Sequence, residues 1–94
     1  MFILMVRYIK PTQDVNVVRD AHLAWLREGH EAGHFIAWGR RTPLTGGVIF
    51  ARGDKAQIEA LAQTDPFVTS GVAETEVVDW TPSFAAEGLE ALTS

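Results

Sequence analysis

Phe2-Ile3-Leu4-Met5-Val6-Arg7-Tyr8 is the stretch that decides the fold of this chain. Side chains of an extended strand alternate between two faces, so Phe2, Leu4 and Val6 point one way and Ile3 and Met5 the other. Both sets are apolar. An antiparallel strand with one solvated face carries a polar residue at every second position. Val48-Ile49-Phe50-Ala51 has the same two-sided character. The sheet containing these strands is therefore expected to be covered on both faces. Its own helices cover one, and a second copy of the sheet is the simplest cover for the other.

The rest of the chain supplies those helices. Lys10-Pro11-Thr12 breaks the first strand. Asp14 is expected to cap a helix from Val15 to Ala32, in which Val18, Ala21, His22, Trp25, Leu26 and Gly29 form one buried face. Gly33 is its C-terminal stop. Strands are expected at Phe35 to Gly39 and Gly47 to Ala51, separated by a loop from Arg40 to Gly46. Asp54 caps a second helix from Lys55 to Gln63. Asp65 caps a single turn from Pro66 to Ser70, because aspartate suits the cap and proline the first helical position. Val72 to Trp80 is the last strand, and Ser83 to Leu92 a short amphipathic tail helix. The order β-α-β-β-α-β predicts an α+β, ferredoxin-like protomer: a four-stranded antiparallel sheet with two helices on one face. Residues 1–94 are expected to form one domain, with a core over 1–81 and a tail over 82–94.

Composition narrows the function. A chain of 94 residues buries only about 60–65% of its unfolded surface alone, a further reason to dimerise. The net charge is −4 and Arg40-Arg41 is the one adjacent basic pair, so the clustered cations that nucleic-acid binding needs are missing. No run approaches the ~18 apolar residues of a membrane span. The apolar start is interrupted by Arg7 and lacks the basic flank and cleavage site of a secretory leader. The sequence has no cysteine, which fits a reducing cytoplasm, the expected location.

Two motifs are set aside. His30-Glu31-Ala32-Gly33-His34 matches the zinc-protease pattern H-E-x-x-H, which needs one continuous helix presenting both histidines to a metal. Gly33 stands where the helix should end, so His34 falls outside it and no metal is expected. Gly46-Gly47 lacks the Gly-Lys-Ser/Thr ending of a phosphate loop and is read as a tight entry into the third strand.

The reactive groups are His22 and Asp65. His22 shares a helix face with Val18, Trp25 and Leu26, so it points toward the sheet. A buried imidazole needs a hydrogen-bond partner. Asp65 leaves the end of the second helix on the same sheet face, within plausible reach. Such a pair would orient one tautomer of His22 for proton transfer. Competing readings stand beside it: Asp65 as a simple helix cap, and His22 as a satisfied core residue. Tyr8, Trp25, Trp38 and Phe67 are candidate walls of an apolar pocket for a small aromatic or cyclic ligand. Arg19 is a candidate for an anionic group, or a solvated helix charge.

Together these segments resemble the YCII-related proteins, a group within the dimeric α+β barrel superfamily. The resemblance rests on Arg19-Asp20-Ala21-His22-Leu23, on Gly39, on Gly46-Gly47-Val48-Ile49-Phe50, and on Thr64-Asp65-Pro66-Phe67-Val68-Thr69-Ser70-Gly71-Val72. Arg40-Arg41 departs from it, since many relatives carry proline after that glycine. The resemblance implies a protomer dimerised sheet to sheet, His22 and Asp65 as a candidate active-site pair in a cleft, and Gly39 at the pocket rim. It also implies one chemical precedent, dehydrochlorination of a chlorinated hydroxyquinol. Three functions follow as expectations. One is a cofactor-free lyase or dehydrochlorinase-like enzyme. The others are a non-catalytic dimeric module for a small ligand, and a cofactor-independent monooxygenase.

Overall fold

The computed structural model describes residues 1–93. Strands β1 (Phe2–Tyr8), β2 (Phe35–Arg40), β3 (Gly46–Ala51) and β4 (Ala73–Asp79) alternate with helices α1 (Thr12–Glu31), α2 (Lys55–Ala62) and α3 (Pro66–Thr69). The strands form one antiparallel sheet in the order β2-β3-β1-β4. This is the ferredoxin-like arrangement expected from the element order. No helix of the described residues is long and apolar enough to cross a membrane.

The two-sided strands sort as alternation requires. Phe2, Leu4 and Val6 are buried, with Ile49, Ala51 and Phe35, under the helices. Ile3 lies opposite Phe50, and Met5 opposite Val48, on the other face. There Ile3, Met5, Val48, Phe50 and Val78 are only half-buried. A contiguous apolar face is therefore left without a cover in the protomer.

Helix α1 is fastened by its stripe of Val15, Trp25, Leu26 and Gly29. Its start differs from the expected one. The helix begins at Thr12, because the N–H groups of Asp14 and Val15 both bond the Pro11 carbonyl. Asp14 lies inside the first turn, where its charge complements the helix dipole. Ala21, expected on the buried stripe, is exposed. At the other end Gly33 adopts φ +87° and lets the chain turn out of the helix. His34 therefore lies off the helix. The Nδ1 atoms of His30 and His34 bond two separate carbonyls, those of Phe35 and Arg52, at 2.8 and 3.2 Å. Among the described residues no three His, Asp or Glu side chains come together as metal ligands.

The tail also departs from expectation. Residues 83–89 form no helix, and only Glu90–Leu92 closes a short 3₁₀ turn. Gly88 has φ +91°, and Phe84 has nothing to bury against, being 83% exposed. A segment this short gains too little from local hydrogen bonds to stay helical without packing. The Gly88 N–H donates to the Glu90 carboxylate at 2.9 Å and holds its pKa below the usual glutamate value.

Gly29 sets the approach of α1 to the sheet. A Cβ added there would collide with the Phe35 ring. Alanine ordinarily gains about 1 kcal/mol over glycine inside a helix. At this buried site overpacking opposes that gain by about 1–3 kcal/mol. Gly29→Ala is therefore expected to lower the urea midpoint, and a raised midpoint would mean that Phe35 yields freely.

Candidate active site

Asp65 is placed by the break between α2 and α3. Its main chain starts α3 two residues after the cap of α2, with Pro66 at the first helical position. Its side chain is fully buried. One carboxylate oxygen, Oδ1, accepts the Phe67 N–H at 2.9 Å and also meets His22 Nδ1 at 2.7 Å. The two readings of Asp65 left open by the sequence therefore hold together, since the same oxygen caps α3 and pairs with the imidazole. The other oxygen, Oδ2, is buried and finds no donor among the described residues.

An ionised carboxylate only accepts, so the proton of the pair sits on His22 Nδ1. In the neutral imidazole that leaves the lone pair on Nε2. His22 is half-buried, its imidazole borders a cavity, and Nε2 makes no hydrogen bond within the described protein. The ring is held on its faces as well as its edge. It stacks on Phe67 with centroids 3.9 Å apart and planes 11° from parallel. Trp25 lies near parallel to it at 5.8 Å.

The cavity has a volume of about 330 Å³, within the range of small-molecule sites. Tyr8, Trp38 and Phe67 border it, with Gly39 at the β2 side and Arg19 on α1. Tyr8 meets Phe67 edge to face at 5.7 Å. Trp25 does not border the cavity. It is buried behind His22, against Phe35 at 4.9 Å. Its indole N–H needs a buried partner and finds Thr64 Oγ1 at 2.9 Å, which in turn donates to the Leu61 carbonyl at 2.7 Å. Trp25 thus steadies the chain that leads into Asp65.

Arg40, expected in the loop after β2, closes that strand and borders the cavity. Strand alternation signals this, because Arg40 stands two residues beyond Trp38. The apolar floor supplied by Val6, Leu23, Leu26 and Ile49 had no distinguishing mark beyond ordinary core composition.

Over residues 1–81 the sequence matches the YCII-related domain. The chain belongs to the YCII-related family. This YCII-related protein is similar in structure to 5-chloro-2-hydroxyhydroquinone dehydrochlorinase from Burkholderia phenoliruptrix AC1100, solved in complex with 2,5-dihydroxybenzoquinone. The TM-score is 0.69 at 21% identity, over 86% of this chain and 94% of that one. No curated protein sequence matches the chain.

The shared oxygen of this YCII-related site predicts an ordering of variants. Asp65→Ala removes a cap worth about 1 kcal/mol and strands a buried His22 donor at about 1–3 kcal/mol. Asp65→Asn can place its amide oxygen where Oδ1 stands and keep both bonds. Urea denaturation is expected to show the alanine variant losing at least twice as much stability as the asparagine variant. Nitrogen-15 NMR should show the Nδ1–H tautomer of His22 retained in Asp65→Asn and mixed in Asp65→Ala.

Proposed function

We propose that this YCII-related protein is a small-molecule enzyme in which His22 moves a proton and Asp65 orients it. The observation that carries the reading is the 2.7 Å contact between His22 Nδ1 and a fully buried Asp65 carboxylate, with the opposite ring nitrogen left free beside a cavity. A histidine that served only packing would gain nothing from an unpaired nitrogen there. A carboxylate behind an imidazole fixes its tautomer and supports the imidazolium that forms on proton transfer.

The reaction class proposed is elimination from a small cyclic or aromatic substrate. His22 Nε2 takes a proton from a C–H or O–H of the ring system. The electron pair left behind forms the new π bond, and the leaving group departs with its own bonding pair. The imidazolium then releases its proton to solvent. Family membership and the dehydrochlorinase activity of the structural neighbour support this class over other uses of a base.

The protein is also proposed to work as a homodimer, joined through the apolar sheet face of Ile3, Met5, Val48, Phe50 and Val78. Arg7 and Glu74, paired at 2.5 Å on the same face, are both well exposed in the protomer. Such exposed pairs are worth about 0–1 kcal/mol, so the apolar residues would supply the association energy.

A panel of halogenated and hydroxylated single-ring compounds, followed by absorbance and mass spectrometry, tests the activity. His22→Ala is expected to slow any turnover found by roughly 10²–10⁴-fold while the folded state persists. Equal binding by wild type and His22→Ala across the panel, with no turnover to lose, would leave a binding module instead. Light scattering is expected to give twice the 10.3 kDa chain mass, and Val48→Lys to return the monomer.

A further inference from the structure

The cavity beside His22 is bordered by two guanidinium side chains, Arg19 and Arg40, and by no carboxylate. The chain as a whole carries −4, so this positive sign is local. Strand register places Arg40 on the helix-covered face. Arg40 lies opposite Gly47, and Gly47 opposite Val6, whose side chain is buried under the helices. Arg41 follows and borders a separate depression with Met5, Glu74 and Glu76. Of the adjacent basic pair, only Arg40 borders the cavity, while both border a shallow depression with Thr42 and Leu44 at the end of β2.

Arg19 is pre-arranged. Its Nε and Nη2 donate to Asn16 Oδ1 at 3.2 and 2.8 Å. That contact sets the plane of the guanidinium and leaves three of its five N–H donors unused. Neither Arg19 nor Arg40 forms an ion pair among the described residues. Tyr8, Trp38, Phe67 and His22 border the same cavity.

We infer that the cavity takes a planar, single-ring carboxylate, gripped by Arg19 and Arg40, with a ring proton or hydroxyl presented to His22 Nε2. A guanidinium fork matches a carboxylate in plane and in spacing. The aromatic walls and a volume of about 330 Å³ suit one substituted ring. This rests on the acid–base reading of His22 and names the substrate class for it. Arg40 acts as a specificity residue at the rim of this cavity.

Calorimetric titration of the wild-type protein tests it, using benzoate, salicylate and 3-hydroxybenzoate, each against its neutral amide. Carboxylates are expected to bind roughly tenfold or more tightly than their amides, with the preference shrinking as salt is raised. Arg40→Gln and Arg19→Gln should each lose most of that preference. Arg41→Gln, outside the cavity, should keep it. Three results overturn the inference: no carboxylate bound in preference to its amide, a preference that survives in both the Arg19 and Arg40 variants, or phenyl phosphate preferred over benzoate. His22→Ala should keep the preference for carboxylate over amide, which Arg19 and Arg40 supply. If it does and also turns over every substrate at the wild-type rate, the acid–base reading fails and the anion site stands.

Discussion

One oxygen atom joins the two halves of the site. Asp65 Oδ1 accepts from the Phe67 main chain and from the His22 ring, so the start of α3 and the middle of α1 are tied at a single point. The Phe67 ring can lie flat on His22 only because α3 begins where that cap forms. One turn further along α1, Trp25 binds Thr64, the residue before Asp65. Two side chains three residues apart on one helix therefore hold two consecutive residues of the connecting segment. The imidazole is constrained on its edge by charge and on its faces by aromatic rings, and only Nε2 is left uncommitted. Positional precision of that kind is what proton transfer requires.

The sheet divides the remaining tasks. Its helix-covered face carries the buried core and the cavity, while the opposite face carries a row of half-buried aliphatic and aromatic side chains. Residues one position apart on a strand serve different surfaces. Trp38 and Arg40 border the cavity, and Arg41 does not. A register slip of one residue in β2 would exchange those roles. The irregularity between Phe35 and Ala37 thus sets which side of the sheet each later residue of β2 meets.

Much of this was legible before the structure. Strand alternation in Phe2–Tyr8 and Val48–Ala51 announced two apolar faces, and the order of elements announced the fold. His22 could be placed because its neighbours at three and four residues are apolar, and Asp65 because aspartate before proline marks a helix start. Other features were hidden for physical reasons. Thr12 opens α1 because a main-chain carbonyl, that of Pro11, collects the first N–H bonds, and no side-chain signature reports that. The amphipathic pattern of residues 83–92 describes a helix that no neighbouring surface rewards. Trp25 has the composition of a pocket wall, but its N–H drew it toward Thr64 instead. Arg40 was misplaced by an element boundary set one residue early, which concealed the parity that carries it to the cavity.

The unpaired Oδ2 of Asp65 has a bearing on how this protein can change. A buried acceptor without a donor is a local deficit of about 1–3 kcal/mol, so a nearby side chain able to donate to it would raise thermal stability. The same donor would draw negative charge away from the oxygen that faces His22 and weaken the support for the imidazolium. On the proposed acid–base role, robustness and proton transfer place opposite demands on one atom. On that reading, variants recovered from a search for heat tolerance would concentrate around that carboxylate and lose turnover.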